Sequence, residues 1–349
     1  MNTEPTVYIS PNSFTTESGF TFSQPEFAYH SWGTLNAAKD NVVVIFHALT
    51  GNSNAAEWFS GPFQSNSVID LEKQFVICIN QLGSFYGSTG PWSINPDTGK
   101  AYQADFPLIT IRDMARFQQQ LLNELGITGI ELAIGGSMGG MVALEFSLTD
   151  NRVKAACFIA MGKAHSPWAI GISHAQRLAI YGDGNWNDGW YTKENPPVHG
   201  LKAARSLAMI TYRTPDNYQQ KFDRDFNSTK DIFEVESYLE YQGDKLVDRF
   251  DALSYVRLSQ AMDTHDVSRD RNSFQEALSK LTIPVLVIGI DSDLLYPTKE
   301  QKELTQLIPN ANYSEISSEY GHDAFLIEFE QINRSISSFL AKSDSSKTV

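Results

Sequence analysis

Only two cysteines occur in the 349 residues, Cys78 in "FVICIN" and Cys157 in "KAACFIAM". Neither belongs to a C-x-x-C pair, and both sit in apolar, strand-like runs. A disulfide framework is therefore excluded, and buried core thiols are expected. Charge is also sparse, at 19% of residues, and it leans acidic, with a formal net charge of -14. That balance argues against a nucleic-acid binder, which carries a basic field. An anionic co-substrate stays open, because a local cationic patch can oppose the global sign. No apolar run reaches the length of a membrane span. The opening "MNTEPTVYISPNSF" has no basic flank followed by an apolar stretch, so no secretory signal is read there and a cytoplasmic protein is expected. The chain has no metal-ligand spacing, internal repeat or low-complexity block, so no bound metal and no permanent cofactor are expected.

What is present is globular. Hydrophobic residues make up 42%, and a chain of this length can bury a sizeable core. "NVVVIFH" (41–47) and "FVICIN" (75–80) read as strands, continuous and β-branched, as expected where both sheet faces are covered. "IRDMARFQQQLLNELG" places Ile111, Met114, Phe117, Leu121, Leu122 and Leu125 at helical spacing, with Gly126 where a C-terminal cap belongs. "IELAIG", "GMVALEFSL" and "VKAACFIAM" continue the alternation as strand, helix and strand. Such alternation predicts an α/β fold with a mostly parallel central sheet and helices on both faces. Residues 165–279 break the pattern. They are rich in Trp, Tyr, Asn and Asp, with helix-like stretches and no clear strand run. Alternation resumes at "IPVLVIGI" (283–290). The expected organisation is a core of residues 1–164 and 280–342, a helical lid over 165–279, and a disordered tail at 343–349.

One short stretch points to chemistry. Gly135-Gly136-Ser137-Met138-Gly139 fits G-x-S-x-G, with a strand before and a helix after. A serine on a sharp strand-to-helix turn needs small flanks so that the backbone can fold back tightly. The N-terminus of the following helix then faces the reaction, and the Met138 amide can stabilise an oxyanion. A serine nucleophile needs a base, and the base needs an orienting acid. In this arrangement they follow in the order acid, then histidine. "VLVIGIDSDLLYP" offers Asp291 and Asp293 just past a strand, and spacing does not choose between them. "SEYGHDAFL" offers His322 as the base. A second oxyanion donor belongs in the loop after an early strand, where "HALTGNSN" offers the N–H of Leu49. His47, ending that strand, reads as structural.

With these pieces placed, the sequence resembles the homoserine O-acetyltransferases of the α/β-hydrolase superfamily. The resemblance shows in "HALTG" (47–51), "GSTGPWSINPDTGKAY" (87–102), "GGSMGGMVALEF" (135–146), "LAMITYR" (207–213), "YLEYQGDKLVDRFDALSY" (238–255), "DSDLLYP" (291–297) and "YGHDAFL" (320–326). It implies an α/β-hydrolase fold with an inserted helical lid. It also implies Asp293 as the triad acid, Arg205 on the substrate carboxylate with Arg213 as the alternative, and Asp323 on the substrate ammonium. Acetyl-CoA is the implied acyl donor, L-homoserine the acceptor, and a homodimer through the lid helices the implied assembly. The chain departs from the family at "GSFYGSTGP" (83–91), where relatives often read "GGC-x-G-[ST]-TGP". Should that loop line the acyl or acceptor pocket, succinyl-CoA or serine becomes the alternative substrate. A plain esterase or thioesterase would use the same triad.

Overall fold

The computed structural model describes residues 4–63 and 68–345. Its centre is an eight-stranded sheet. In chain order the strands are β1 (Thr6–Ile9), β2 (Glu26–Trp32), β3 (Val42–Phe46), β4 (Phe75–Ile79), β5 (Ile130–Gly136), β6 (Ala156–Ile159), β7 (Val285–Ile290) and β8 (Ala311–Ile316). Their spatial order is β1-β2-β4-β3-β5-β6-β7-β8. β2 pairs antiparallel with β1 and β4, and all the later pairings are parallel.

The central strands are buried on both faces, which explains runs that are apolar but for the half-buried Glu131 of β5. In β3, Val42, Val44 and Phe46 point into one apolar cluster, while Val43 and Ile45 point into another on the opposite face. The first cluster is closed by α1 (Ile111–Glu124) and α2 (Met138–Thr149) through Met114, Phe117, Val142 and Phe146. The second is closed by α10 (Phe329–Ser345) through Ile332 and Ile336. Thr110 starts α1 with a capping box: its hydroxyl accepts from the Asp113 amide, and Asp113 accepts from the Thr110 amide. Gly126, just past the end of α1, takes φ +72°, as a C-terminal cap demands. Cys78 and Cys157 are free and fully buried, one on each of two central strands.

Between β6 and β7 lie α3 (Pro167–Tyr181), α4 (Val198–Tyr212), α5 (Pro215–Phe222), α6 (Glu234–Val247), α7 (Ala252–Asp263) and α8 (Phe274–Ser279), followed after β7 by α9 (Thr298–Leu307). A short hairpin, Phe226–Asn227 with Ile232–Phe233, interrupts the helices. The inserted segment is closed at its base, where the His165 amide donates to the His265 carbonyl (2.7 Å) and the Val267 amide to that of Lys163 (3.1 Å). Its far side reaches the loop after β8, because the Thr214 hydroxyl donates to the Glu319 carbonyl at 2.7 Å. The end of the chain is helical as far as Ser345. The remainder of the tail expected to be disordered, 346–349, lies outside the described residues. Among the described residues no helix is long and apolar enough to cross a membrane.

Candidate active site

Four loops at the carboxyl ends of parallel strands converge on one point. The loop after β5 carries Ser137, the loop after β7 carries Asp293, and the turn after β8, Gly321–Leu326, carries His322. The loop after β3 carries residues 47–51.

Ser137 sits at φ +54°, ψ -128°, on the positive-φ side that L-residues avoid. The glycines make this possible by contact. A Cβ on Gly135 would stand 2.3 Å from the Gly139 carbonyl oxygen, and one on Gly139 would stand 2.0 Å from that of Phe46. The turn is therefore folded back on itself and pressed against the end of β3. Ser137 makes no side-chain cap to α2, so its hydroxyl stays free for other work and the first-turn amides remain unpaired by it.

The hydroxyl lies 2.9 Å from His322 Nε2, and His322 Nδ1 lies 2.7 Å from Asp293 Oδ2. All three residues are buried. The other Asp293 oxygen, Oδ1, accepts from the Leu295 and Tyr296 amides at 2.8 and 2.9 Å. Those two bonds hold the carboxylate so that Oδ2 faces the ring. Asp291 goes elsewhere: it is exposed and accepts from the Ser317 hydroxyl and the Ser318 amide. Burial disfavours a charged His322. The negative charge and hydrogen bond of Asp293, with Asp323 close by, outweigh it and raise the histidine above its usual range.

A cavity of about 330 Å³ opens on this serine. Its walls include Leu49, Ser137, Arg205, Tyr212, His322 and Asp323, with Glu57, Trp58 and Arg249 also contributing. Among the described residues the Leu49 amide has no protein acceptor. Arg205, on α4, makes no hydrogen bond or ion pair among the described residues; its guanidinium rests over the Tyr212 ring at 5.8 Å. Arg213 is not in the cavity wall. Its Nε is 3.0 Å from Asp323 Oδ2, and its guanidinium covers the Tyr320 ring. Burial raises the Asp323 carboxyl against the opposing pull of Arg213 and Arg205. Asp323 lies inside the turn that Tyr320 caps, so it is not itself a helix cap.

The "GSFYG" loop does not line this cavity. Phe85 instead borders two neighbouring hollows, and Tyr86 acts at one remove. The Tyr86 hydroxyl accepts from Arg249 Nη1 at 2.5 Å, and the same nitrogen donates to the Thr50 carbonyl at 2.6 Å. Arg249, just past the end of α6, thus ties the inserted helices to the loop after β3. Sequence reasoning did not single out Arg249 or Tyr212. Their only signal was membership of the stretches 238–255 and 207–213. Tyr212 lies against the His322 ring, with centroids 5.5 Å apart.

Comparison with known proteins gives consistent findings. The sequence model of the α/β hydrolase fold matches residues 41–329. The chain is 50% identical to the homoserine O-acetyltransferase of Chlorobium chlorochromatii (strain CaD3) over 339 residues, 96% of this chain and 95% of that one. Among solved structures it resembles the homoserine O-acetyltransferase from Bacillus anthracis, with a TM-score of 0.89 at 26% identity over 97% of each chain. It also resembles esterase E22, with a TM-score of 0.84 at 26% identity over 97% of this chain and 99% of that one.

Proposed function

The chain belongs to the homoserine O-acetyltransferase family of α/β-hydrolase-fold enzymes, and from that premise we propose how its residues divide the reaction. Ser137 is the nucleophile, His322 the general base and Asp293 the acid that holds the histidine tautomer. Acetyl-CoA is the donor. The Ser137 oxygen attacks the thioester carbonyl as His322 Nε2 takes its proton. The oxyanion is received by the Leu49 and Met138 amides, and loss of one such donor typically costs about 3–4 kcal/mol of transition-state stabilisation. The C–S bond breaks, His322 returns the proton to the departing thiolate, and an acetyl-serine remains. The L-homoserine hydroxyl then gives its proton to His322 and attacks the acetyl carbonyl, releasing Ser137 and O-acetyl-L-homoserine. Two half-reactions at one serine imply ping-pong kinetics.

The observation that carries an amino-acid acceptor is the unpaired Arg205 guanidinium in the same cavity as Ser137. Arg205 is half-buried with no carboxylate beside it, and a bidentate substrate carboxylate answers it. Asp323 then receives the ammonium, sharing its carboxylate with Arg213. The cavity, about 330 Å³, suits a small acceptor beside an acetyl-serine. The bulk of coenzyme A stays outside it, with the pantetheine arm reaching in. The inserted helices act as a lid that limits water at the acyl-serine. Exposed Leu207, Ile210 and Tyr241 on those helices support a homodimer through the lid. No permanent cofactor enters the scheme, and a cytoplasmic setting fits a CoA-dependent biosynthetic enzyme.

The esterase reading is the second one, favoured by the likeness to esterase E22. Thiol release from acetyl-CoA and succinyl-CoA, each with and without L-homoserine or L-serine, separates the readings. Release from acetyl-CoA that depends on homoserine supports the proposal. Preference for succinyl-CoA or serine keeps the triad and changes the substrate. Release indifferent to any amino acid removes the transferase reading.

A further inference from the structure

His47 directly follows β3 and is completely buried. Its two ring nitrogens have different partners. Nε2 is 2.9 Å from the Gln81 backbone nitrogen, and Nδ1 is 2.9 Å from the Ala48 carbonyl oxygen. A backbone N–H can only donate, so Nε2 accepts. The ring proton is therefore on Nδ1 and is given to the Ala48 carbonyl. Burial pushes the His47 pKa down to about 4, so this neutral tautomer persists at physiological pH.

The Ala48 carbonyl is half of the peptide whose other half is the Leu49 N–H. The bond is trans, as all are among the described residues, so the two groups point in opposite directions. Anchoring the carbonyl towards His47 turns the Leu49 amide away from the ring, and Leu49 lines the cavity with Ser137. The Gly51 amide donates to the same carbonyl at 2.9 Å, which fills both of its lone pairs. The anchor is itself supported from within the core. The Gln81 side chain donates to the His47 carbonyl at 3.4 Å and accepts from Gln118 Nε2 at 2.7 Å, and both glutamines are fully buried. The Ser137 turn rests on the same strand end, where a Gly139 Cβ would meet the Phe46 and His47 carbonyl oxygens at 2.0 and 3.0 Å.

We propose that His47 is a positioning residue of the oxyanion hole: by donating from Nδ1 to the Ala48 carbonyl it aims the Leu49 amide at the oxyanion formed on the Ser137 adduct. The inference rests on the acyl-serine reading above. It touches no substrate, and it acts on the tetrahedral state alone.

The test compares His47→Asn, His47→Gln and His47→Leu with the wild type in the full-length enzyme. An asparagine Nδ2 stands about where histidine Nδ1 does and can keep the bond to Ala48. A glutamine reaches instead towards the Gln81 amide. The readouts are kcat and homoserine KM for acetyl transfer, and affinity for an alkyl trifluoromethyl ketone, whose adduct with a serine carries an oxyanion. The expected result is a kcat loss in His47→Gln and His47→Leu of at least about tenfold, up to the roughly 10²- to 10³-fold that removal of a whole donor costs. Affinity for the ketone falls by a matching factor, homoserine KM is unchanged, and His47→Asn is largely rescued. Equal losses in His47→Asn and His47→Gln, both folded by thermal melting, would mean a structural role and overturn the proposal. Unchanged kcat and ketone affinity in all variants would overturn it too. A wild type that forms neither acetyl-enzyme nor ketone adduct would sink the acyl-serine reading first, and this proposal with it.

Discussion

Arg213 Nε stands 3.0 Å from Asp323 Oδ2, and this pair separates the roles of two arginines two turns apart on one chain segment. Arg213, at the end of α4, is committed to Asp323. Arg205, two turns earlier, keeps its guanidinium free in the cavity. Arg205→Ala should raise the homoserine KM by about ten- to a hundredfold, the worth of a charge-assisted hydrogen bond. Acetyl-enzyme formation from acetyl-CoA should be unaffected. Steady-state kinetics with homoserine varied, set beside burst-phase acylation, check both halves. A defect in acylation would place Arg205 on the donor instead.

The pH profile follows from the Asp293–His322 contact. His322 must be neutral to accept a proton, and the fold raises its pKa above the ordinary 6.5. The acid limb of kcat/KM should therefore lie above 6.5. In Asp293→Asn the opposing charge is gone and burial prevails, so the limb should move below that value while the rate falls on the order of 10⁴-fold. The linked stability has a definite sign. A raised folded-state pKa contributes stability that is fully present below pH 6.5 and is lost as pH rises through the raised value. Melting temperature against pH for wild type and Asp293→Asn checks this second consequence.

Ser137 is held at a φ of +54°, which a residue with a Cβ tolerates poorly. Ser137→Ala retains that cost, and Ser137→Gly relieves it. Both should be inactive. The glycine variant should nevertheless be the more stable by about 1 kcal/mol, the low end of the 1–3 kcal/mol such strain stores, because glycine loses more chain entropy on folding. Denaturant midpoints of the two variants decide it. Equal stabilities would mean that the strain is no larger than the chain entropy that glycine loses.

Tyr86, Arg249 and Thr50 make one connected chain from the departing loop through the lid to the loop that carries Leu49. Tyr86→Phe removes one acceptor from Arg249, and Arg249→Met removes that bond and the two bonds to Thr50 as well. Looser attachment should admit water to the acyl-enzyme. The ratio of acetate to O-acetylhomoserine formed should rise severalfold in Tyr86→Phe and further in Arg249→Met. Product analysis at fixed acetyl-CoA measures it. An unchanged ratio would mean that this strap does not govern water access.

The candidate site was unevenly legible in the sequence. Ser137 announced itself through glycines that only a tight strand-to-helix turn requires, and His322 through its place after a glycine, ahead of the last helix and outside the inserted segment. The aspartate did not, since Asp291 and Asp293 stand two residues apart on the same loop and spacing treats them alike. The family resemblance pointed to Asp293. In the fold, two backbone amides at Leu295 and Tyr296 turn it to His322, while Ser317 and Ser318 take Asp291 outward. The "GSFYG" loop was a candidate pocket wall; in the fold it lies outside the wall of the Ser137 cavity, and its Tyr86 is bonded to Arg249, which is part of that wall.

The parallel centre of the sheet was determined by the sequence itself, because strands buried on both faces must be apolar at nearly every position and cannot be mistaken for surface. β1 and β8 left no such mark. Most of their residues are exposed or half-buried, as edge strands can be, so their pairing depends on neighbours far along the chain. The same holds for the unpaired state of Arg205, the tie between Arg249 and Thr50, and the direction of the Leu49 amide. Local sequence determines what a residue can do. Which partner it meets, and which way a peptide faces, depends on segments brought together only by packing, and in this protein those contacts shape the cavity around Ser137.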